Sequence, residues 1–312
     1  MDLSVVIPLY NEEESLPELV AWIDRVATPA GYEHEIIMVD DGSKDRSWEI
    51  VEALKKQFPA IRGIRFQRNY GKSAALHVGF QAAKGDVVIT MDADMQDSPD
   101  EIPELVDMIM NQGFDLVSGW KKERHDPFSK TFPSKFFNAL TRWSSGIKLN
   151  DFNCGLKAYK NQVVKSIEVY GEMHRYIPVI AKWAGFSNIG EKVVEHRARE
   201  YGVTKFGGLD RGVKGMLDLV SITFTQKYMK RPMHFFGAWG ALFAFIGGAE
   251  MMWLLLRKIF WEEGLTEHIP GMIFGSTALL SGLLLFSVGL LGEMIGRTAA
   301  DRNDYLISET LV

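Results

Sequence analysis

At 312 residues, with 46% hydrophobic and 24% charged residues, the chain is long enough for one large folded domain plus an appendage and too apolar for bulk disorder. A formal net charge of −5 argues against a nucleic-acid binder, which would carry a basic excess. The single cysteine, Cys154, excludes an internal disulfide and fits a reducing compartment.

The chain opens on a short β-branched apolar run, Leu3–Leu9, followed by acids rather than by an apolar h-region, so no signal peptide is expected. Leu16, Leu19, Ile23 and Val26 then recur at helical spacing and predict a helix over Ser15–Val26. The alternation continues with strands predicted over Glu35–Val39, Ile61–Phe66, Asp86–Met91 and Asp115–Val117. Helices are predicted between and after them over Ser47–Phe58, Ser73–Ala83 and Pro103–Met110. Strands alternating with helices imply an α/β fold, a mostly parallel sheet with helices on both faces. Ligands of such sheets sit beyond the carboxyl ends of the strands. Between 119 and 201 the pattern loosens, with helices expected near Lys130–Ser145 and Arg175–Trp183, and strands near Leu156–Tyr159 and Asn188–His196.

Gly207–Lys230 sets Leu209, Val213, Met216, Leu217, Val220 and Phe224 against Arg211, Lys214, Asp218 and Lys227, an amphipathic pattern suited to helices in a membrane interface. From Phe235 to Leu256 run 22 residues with one charge, Glu250, and from Ile269 to Gly292 run 24 with none. Each is long enough to cross about 30 Å of hydrocarbon as a helix. Phe235, Phe236 and Trp239 suit interfacial anchors, and Glu250 is an intramembrane acid open either to a functional role or to pairing with another subunit of a homo-oligomer. Lys227, Lys230 and Arg231 before the spans and Arg297 and Arg302 after them outnumber Arg257 and Lys258 in the connecting loop. The positive-inside rule then places both termini in the cytoplasm. The expected layout is a cytoplasmic catalytic domain over 1–206, juxtamembrane amphipathic helices over 207–232, a transmembrane hairpin over 233–297 and a cytoplasmic tail over 298–312, in a multi-pass protein of the plasma (inner) membrane.

The sharpest chemical signal is Asp92-Ala93-Asp94 at the end of a predicted strand. The strand period of two brings both carboxylates to one side, where hard oxygen ligands suit Mg²⁺ or Mn²⁺. Gln96 and Asp97 follow at once. A second carboxylate pair, Asp40-Asp41, ends another strand and leads into Gly42-Ser43, a tight turn near a ligand. The first strand ends in Pro8-Leu9-Tyr10-Asn11-Glu12-Glu13, with an aromatic ring and acids at the same edge. Three acid-bearing strand ends point to one shared nucleotide and metal site rather than three separate helix caps.

Pro8–Glu13, Asp40–Ser43, Asn69-Tyr70-Gly71-Lys72 and Asp92–Asp97 together resemble the motif set of family 2 glycosyltransferases with the Rossmann-like GT-A fold. More narrowly, the chain from residue 3 to about 300 is similar to polyprenyl-phosphate glycosyltransferases, the group that includes dolichol-phosphate mannose synthase. The resemblance implies that Pro8, Tyr10, Glu12, Val39, Asp40, Asp41, Lys72, Asp92, Ala93 and Lys121 bind the nucleotide-sugar donor. It implies Asp92 and Asp94 as metal ligands, Gln96 close to the sugar, and Asp151 facing the acceptor. Lys121, Arg124, Arg199 and Lys205 would serve the phosphates of donor and acceptor; Lys121 stands where the family usually carries arginine. The implied reaction is inverting transfer from a nucleotide sugar, a UDP-sugar favoured and a GDP-sugar possible, to a polyprenyl phosphate in the bilayer.

Among rivals, a processive polysaccharide synthase would carry Gln-x-x-Arg-Trp, whereas Arg142-Trp143 follows Ala139. A nucleotidyltransferase would open on a glycine- and lysine-rich loop, and a non-catalytic export scaffold would have lost the carboxylate pairs, both of which are intact.

Overall fold

In the computed structural model the described residues are 1–122, 138, 139, 141, 142, 145–195, 197, 232–261, 264, 268–298 and 307–311. They fall into two units, one holding the stretches up to Leu219 and the chain end from Asn303, the other spanning Val220–Arg302.

The first unit is built on β1 (Leu3–Leu9), α1 (Leu16–Ala27), β2 (His34–Asp40), α2 (Ser47–Gln57), β3 (Ile61–Phe66), α3 (Lys72–Ala82), β4 (Val87–Thr90), α4 (Ile102–Met110) and β5 (Leu116–Trp120). After these come β6 (Lys157–Lys160), α5 (Asn161–Ser166), α6 (Ile177–Trp183) and β7 (Ile189–Val193). The second unit holds α7 (Pro232–Trp261) and α8 (Ile269–Thr298), and β8 (Ile307–Leu311) returns to the first. The eight strands lie in the order β7-β5-β6-β4-β1-β2-β3-β8. Strands β4, β1, β2 and β3 are mutually parallel, and β5 pairs parallel with β7. Only β6 and β8 run the other way, so the described sheet is mixed around a parallel centre.

The sheet centre is apolar on both faces, as a strand covered by helices on each side requires. Val5, Val6 and Ile7 are fully buried. Leu3, Val5 and Ile7 belong to a core with Leu16, Leu19 and Ile23 of α1, Trp48 and Val51 of α2, and Ile102 and Leu105 of α4. On the opposite face α3 packs over Val6 and Val39. α1 begins with proline in its first turn, where a missing N–H costs nothing, and turns its apolar stripe inward. Each large side chain so buried contributes roughly 1.5–3 kcal/mol before chain entropy is subtracted. Because the parallel strands end together, Leu9, Asp40, Thr90 and Trp120 deliver their following loops to one edge, and antiparallel β6 starts there, with Lys157 opposite Thr90 and Ser118.

In the second unit, Phe235–Trp261 and Ile269–Gly292 are long and apolar enough to cross a membrane. They pack on each other through glycines, while Phe245 (75% exposed), Phe260 (70%) and Leu284 (67%) face outward. A soluble core helix would bury such residues. The amphipathic stretch 207–231 lies outside the described residues.

Candidate active site

The loops after β1 and β2 are laced together. Asp41 N–H donates to Leu9 O at 2.9 Å, Asn11 N–H to Ser43 Oγ at 2.9 Å, Glu12 N–H to Ser47 Oγ at 2.9 Å, and Lys44 N–H to Asn11 Oδ1 at 2.8 Å. Pro8, Tyr10 and Glu12 are half-buried on this ledge, and Val39 is buried beneath it, opposite Pro8. Asp40 is buried; its carboxylate accepts Ser43 N–H at 2.9 Å and lies 3.6 Å from Arg65 Nε. Burial pushes its carboxyl up. Asp41 reaches the other way, accepting Tyr70 N–H at 2.7 Å and Gly71 N–H at 2.9 Å. Burial, against those two bonds, pushes its carboxyl up to about 6. Gly42, at φ 71°, passes so close to Arg68 that a Cβ would sit 2.6 Å from that residue's carbonyl carbon, so no side chain fits this turn.

At the end of β4, Ala93 and Met95 are buried while Asp92, Asp94 and Gln96 are half-exposed, so the loop presents alternate residues outward. Met95 holds φ 62°, a backbone state unusual for a side-chain-bearing residue, and its burial keeps it there. Asp94 Oδ1 accepts Gln96 N–H at 3.3 Å. Gly155 lies against Asp92 so closely that a Cβ would meet Oδ2 at 2.5 Å; Thr90 Oγ1 fixes that glycine by donating to its carbonyl at 2.8 Å. Lys72, first residue of α3, forms an ion pair with Asp92 Oδ1. Burial would raise the Asp92 carboxyl, but Lys72, with Lys121 and Lys157 behind it, outweighs this and holds it at about 2.

Two further lysines complete a cationic floor. Lys121 Nζ meets the buried Asp97 at 2.8 Å. Burial opposes its charge, and Asp97 more than compensates, so its pKa is raised. Lys157, 3% exposed, donates to Cys154 O, and burial lowers its pKa. Burial pushes the Cys154 thiol up to about 12, so it stays a neutral packing residue. Asp151 is also buried, with Oδ1 accepting Asn153 N–H at 3.0 Å and its carbonyl accepting Ser118 Oγ at 3.2 Å. His174 meets Ser73 twice, N–H to Oγ and Nδ1 to Oγ, both at 3.1 Å. Burial, then Lys72, Arg175 and Lys157, hold its imidazole well below the usual range, hence neutral. Arg197 N–H donates to Gln96 O at 3.1 Å, and its guanidinium stacks 4.3 Å over Trp22.

The sequence-based candidates are therefore brought to one sheet edge: Pro8 to Glu12, Asp40 and Asp41, Lys72, Asp92 to Gln96, Lys121 and Asp151. Arg124, Arg199 and Lys205 lie outside the described residues. Lys157 and Glu191 are not among the sequence-based candidates, and neither is the pairing of Asp97 with Lys121; a lysine inside the apolar run Leu156–Tyr159 is the available signal for the first.

The donor set fits a hard divalent cation. Two carboxylates stand on one loop, the Gly155 cradle gives one of them room, and an ammonium already sits against it as a stand-in cation. Among the described residues no three His, Cys, Asp or Glu side chains converge as ligands. A two-carboxylate site leaves remaining positions to water and phosphate oxygens, the arrangement Mg²⁺ favours.

Residues 4–167 match glycosyl transferase family 2. The chain is 38% identical over 307 residues to dodecaprenyl-phosphate galacturonate synthase of Rhizobium johnstonii, covering 96% of this chain and 88% of that one. It is 35% identical over 301 residues to undecaprenyl-phosphate 4-deoxy-4-formamido-L-arabinose transferase of Pseudomonas aeruginosa, covering 96% and 86%. Among solved structures, glucosyl-3-phosphoglycerate synthase of Mycobacterium tuberculosis with Mn²⁺, UDP and glucosyl-3-phosphoglycerate aligns with a TM-score of 0.53 at 20% identity, covering 72% of this chain and 79% of that one, a likeness of fold. The chain belongs to glycosyl transferase family 2 and is a glycosyltransferase.

Proposed function

We propose that this glycosyltransferase moves a sugar from a nucleotide sugar, UDP-linked in preference to GDP-linked, to a polyprenyl phosphate at the cytoplasmic face of the plasma membrane, with inversion at the anomeric carbon. The observation that carries the reading is the half-exposed Asp92/Asp94 pair set on a lysine floor, in a chain whose relatives are named for dodecaprenyl and undecaprenyl phosphate. Two apolar helices of spanning length suit a lipid acceptor.

A phosphate monoester has a second pKa of about 6, so the acceptor oxygen is already anionic at neutral pH and needs little base catalysis. It attacks the anomeric carbon as the bond to the donor's diphosphate oxygen breaks, and the electron pair leaves with the diphosphate. Bringing two phosphates together is the electrostatic difficulty. Lys72, Lys121 and Lys157 supply positive potential at that edge, most effectively where water is excluded. Asp92 and Asp94 would hold a Mg²⁺ or Mn²⁺ ion, which neutralises charge on the diphosphate. Asp41 braces the Tyr70–Gly71 turn beside the donor ledge. Asp151, held inside the wall near Lys157, orients the acceptor side.

The test supplies detergent-purified protein with polyprenyl phosphate, Mn²⁺ and a panel of UDP- and GDP-sugars, and looks for a lipid-linked sugar. A panel with no product, or an Asp94→Asn variant with full activity, overturns the reading.

A further inference from the structure

Lys72 sits where a metal-binding carboxylate would face its cation. It opens α3 directly after Gly71, whose N–H is held by Asp41, and its ammonium pairs with Asp92 Oδ1. About a third of each partner's side chain remains open to solvent, 34% for Lys72 and 32% for Asp92. The pair is thus reachable by ligands, unlike Lys121 with Asp97, whose side chains are 13% and 0% exposed. A lysine ammonium is a compact charge on a four-carbon stem and changes partners without moving backbone. A divalent cation and an ammonium compete for the same carboxylate oxygen. A diphosphate arriving with the cation offers the ammonium a new anionic partner.

We propose that Lys72 is an exchangeable counter-ion: it occupies Asp92 in the nucleotide-free enzyme, opposes metal binding there, and passes to the donor's diphosphate when metal and nucleotide enter together. This rests on the reading of Asp92 and Asp94 as the metal pair. It adds an order to binding, since metal alone must displace Lys72 whereas metal with nucleotide gives it a partner. The two ligands then bind with positive coupling, which linkage makes reciprocal.

The experiment titrates Mn²⁺ into full-length, detergent-purified protein and reads free Mn²⁺ by its solution EPR signal, with and without UDP. Wild type should bind Mn²⁺ weakly alone and roughly tenfold or more tighter with UDP. Lys72→Met keeps the side chain's length and removes its charge. It should bind Mn²⁺ roughly tenfold tighter than wild type without UDP, and bind UDP more weakly in the presence of Mn²⁺, so the coupling collapses. Lys72→Arg should keep most of the coupling. A lysine that merely supports the fold would weaken both ligands on replacement. The proposal is overturned if Lys72→Met leaves nucleotide-free Mn²⁺ binding unchanged or weaker, or leaves UDP affinity intact. If wild type binds no Mn²⁺ even with UDP, the metal reading itself fails, and this proposal with it.

Discussion

Glu191 grips the backbone of Asp151: its Oε1 accepts the Asp151 N–H at 3.0 Å and the neighbouring Asn150 N–H at 2.6 Å, while Oε2 accepts Asn150 Nδ2 at 2.7 Å. The carboxylate stands on β7, parallel to β5 and opposite Ser118, whose hydroxyl donates to the Asp151 carbonyl. Asp151 is thereby fixed from two strands at once.

Hydrogen bonds to a charged group contribute about 1.5–3 kcal/mol each where buried, and less at this partly exposed site. Glu191→Ala frees the Asn150–Asp151 segment without touching the donor ledge. Turnover at saturating donor should fall roughly tenfold or more, which corresponds to about 1.4 kcal/mol, with UDP affinity within about twofold of wild type. Glu191→Gln keeps one acceptor and should lie between the two. Unchanged turnover in Glu191→Ala would remove Glu191 from the site's support.

How far the site is legible in the sequence follows from how each residue reaches it. Asp40, Asp41, Asp92 and Asp94 end strands that carry their own periodicity, so both the strand and its loop are visible locally. The strands β1, β2 and β3 match their expected bounds to within a residue or so for the same reason. Lys157 and Glu191 arrive through β6 and β7, which enter the sheet out of sequence order beside β5. Their charges read as surface until the pairing is known. β8 is harder still, since Ile307–Leu311 follows two long apolar helices and its alternation covers five residues. The stretch expected to be a cytoplasmic tail thus carries an edge strand. The Lys121–Asp97 pair is invisible for a different reason: nothing in spacing says which of several acids a lysine will meet.

Asp41 gives the molecule a pH signature. Its carboxyl sits at about 6 in the folded protein against an ordinary 3.8, because burial disfavours its charge more than the Tyr70 and Gly71 N–H groups favour it. A raised folded pKa means that the native state binds the proton more readily. Its contribution is fully present below about 3.8 and is lost as pH rises through about 6. The difference amounts to at most about 3 kcal/mol. Asp41→Asn cannot titrate, so wild type should gain thermal stability relative to this variant as pH falls from about 7 to about 4. Parallel melting curves of the two proteins across that range, with a constant offset, would refute the assignment.

The hairpin of α7 and α8 is held by backbone approach. A Cβ on Gly247 would lie 2.5 Å from both Gly275 O and Leu279 N, and one on Gly282 would lie 2.5 Å from Ala244 N. Gly248, one residue along, faces open space. Gly247→Val must force the helices apart and should cost about 1–3 kcal/mol or prevent stable insertion. Gly248→Ala, at a half-buried helical position where a Cβ meets nothing within 4 Å, should be neutral or slightly stabilising. Yield from the membrane fraction and melting temperature in detergent distinguish them. Equal behaviour of the two variants would mean that the helices do not pack through this seam.

β8 closes the edge that β3 would otherwise leave open. Gly63 faces Leu311, Ile64 faces Thr310, Arg65 faces Glu309 and Phe66 faces Ile307 in an antiparallel ladder. The Leu311 side chain packs on the core, its Cδ1 3.2 Å from where a Cβ on Gly63 would stand. Deleting residues 307–312 therefore removes both the ladder and the leucine, and leaves β3 with unpaired N–H and C=O groups, a template for pairing with other chains. The deletion should lower the melting temperature and produce concentration-dependent aggregation on size-exclusion chromatography. Leu311→Ala keeps the ladder and loses only apolar burial, so it should cost about 1–2 kcal/mol without aggregation. The contrast separates the strand's backbone role from its side-chain role. A deletion that melts and elutes as wild type does would show that β8 contributes neither.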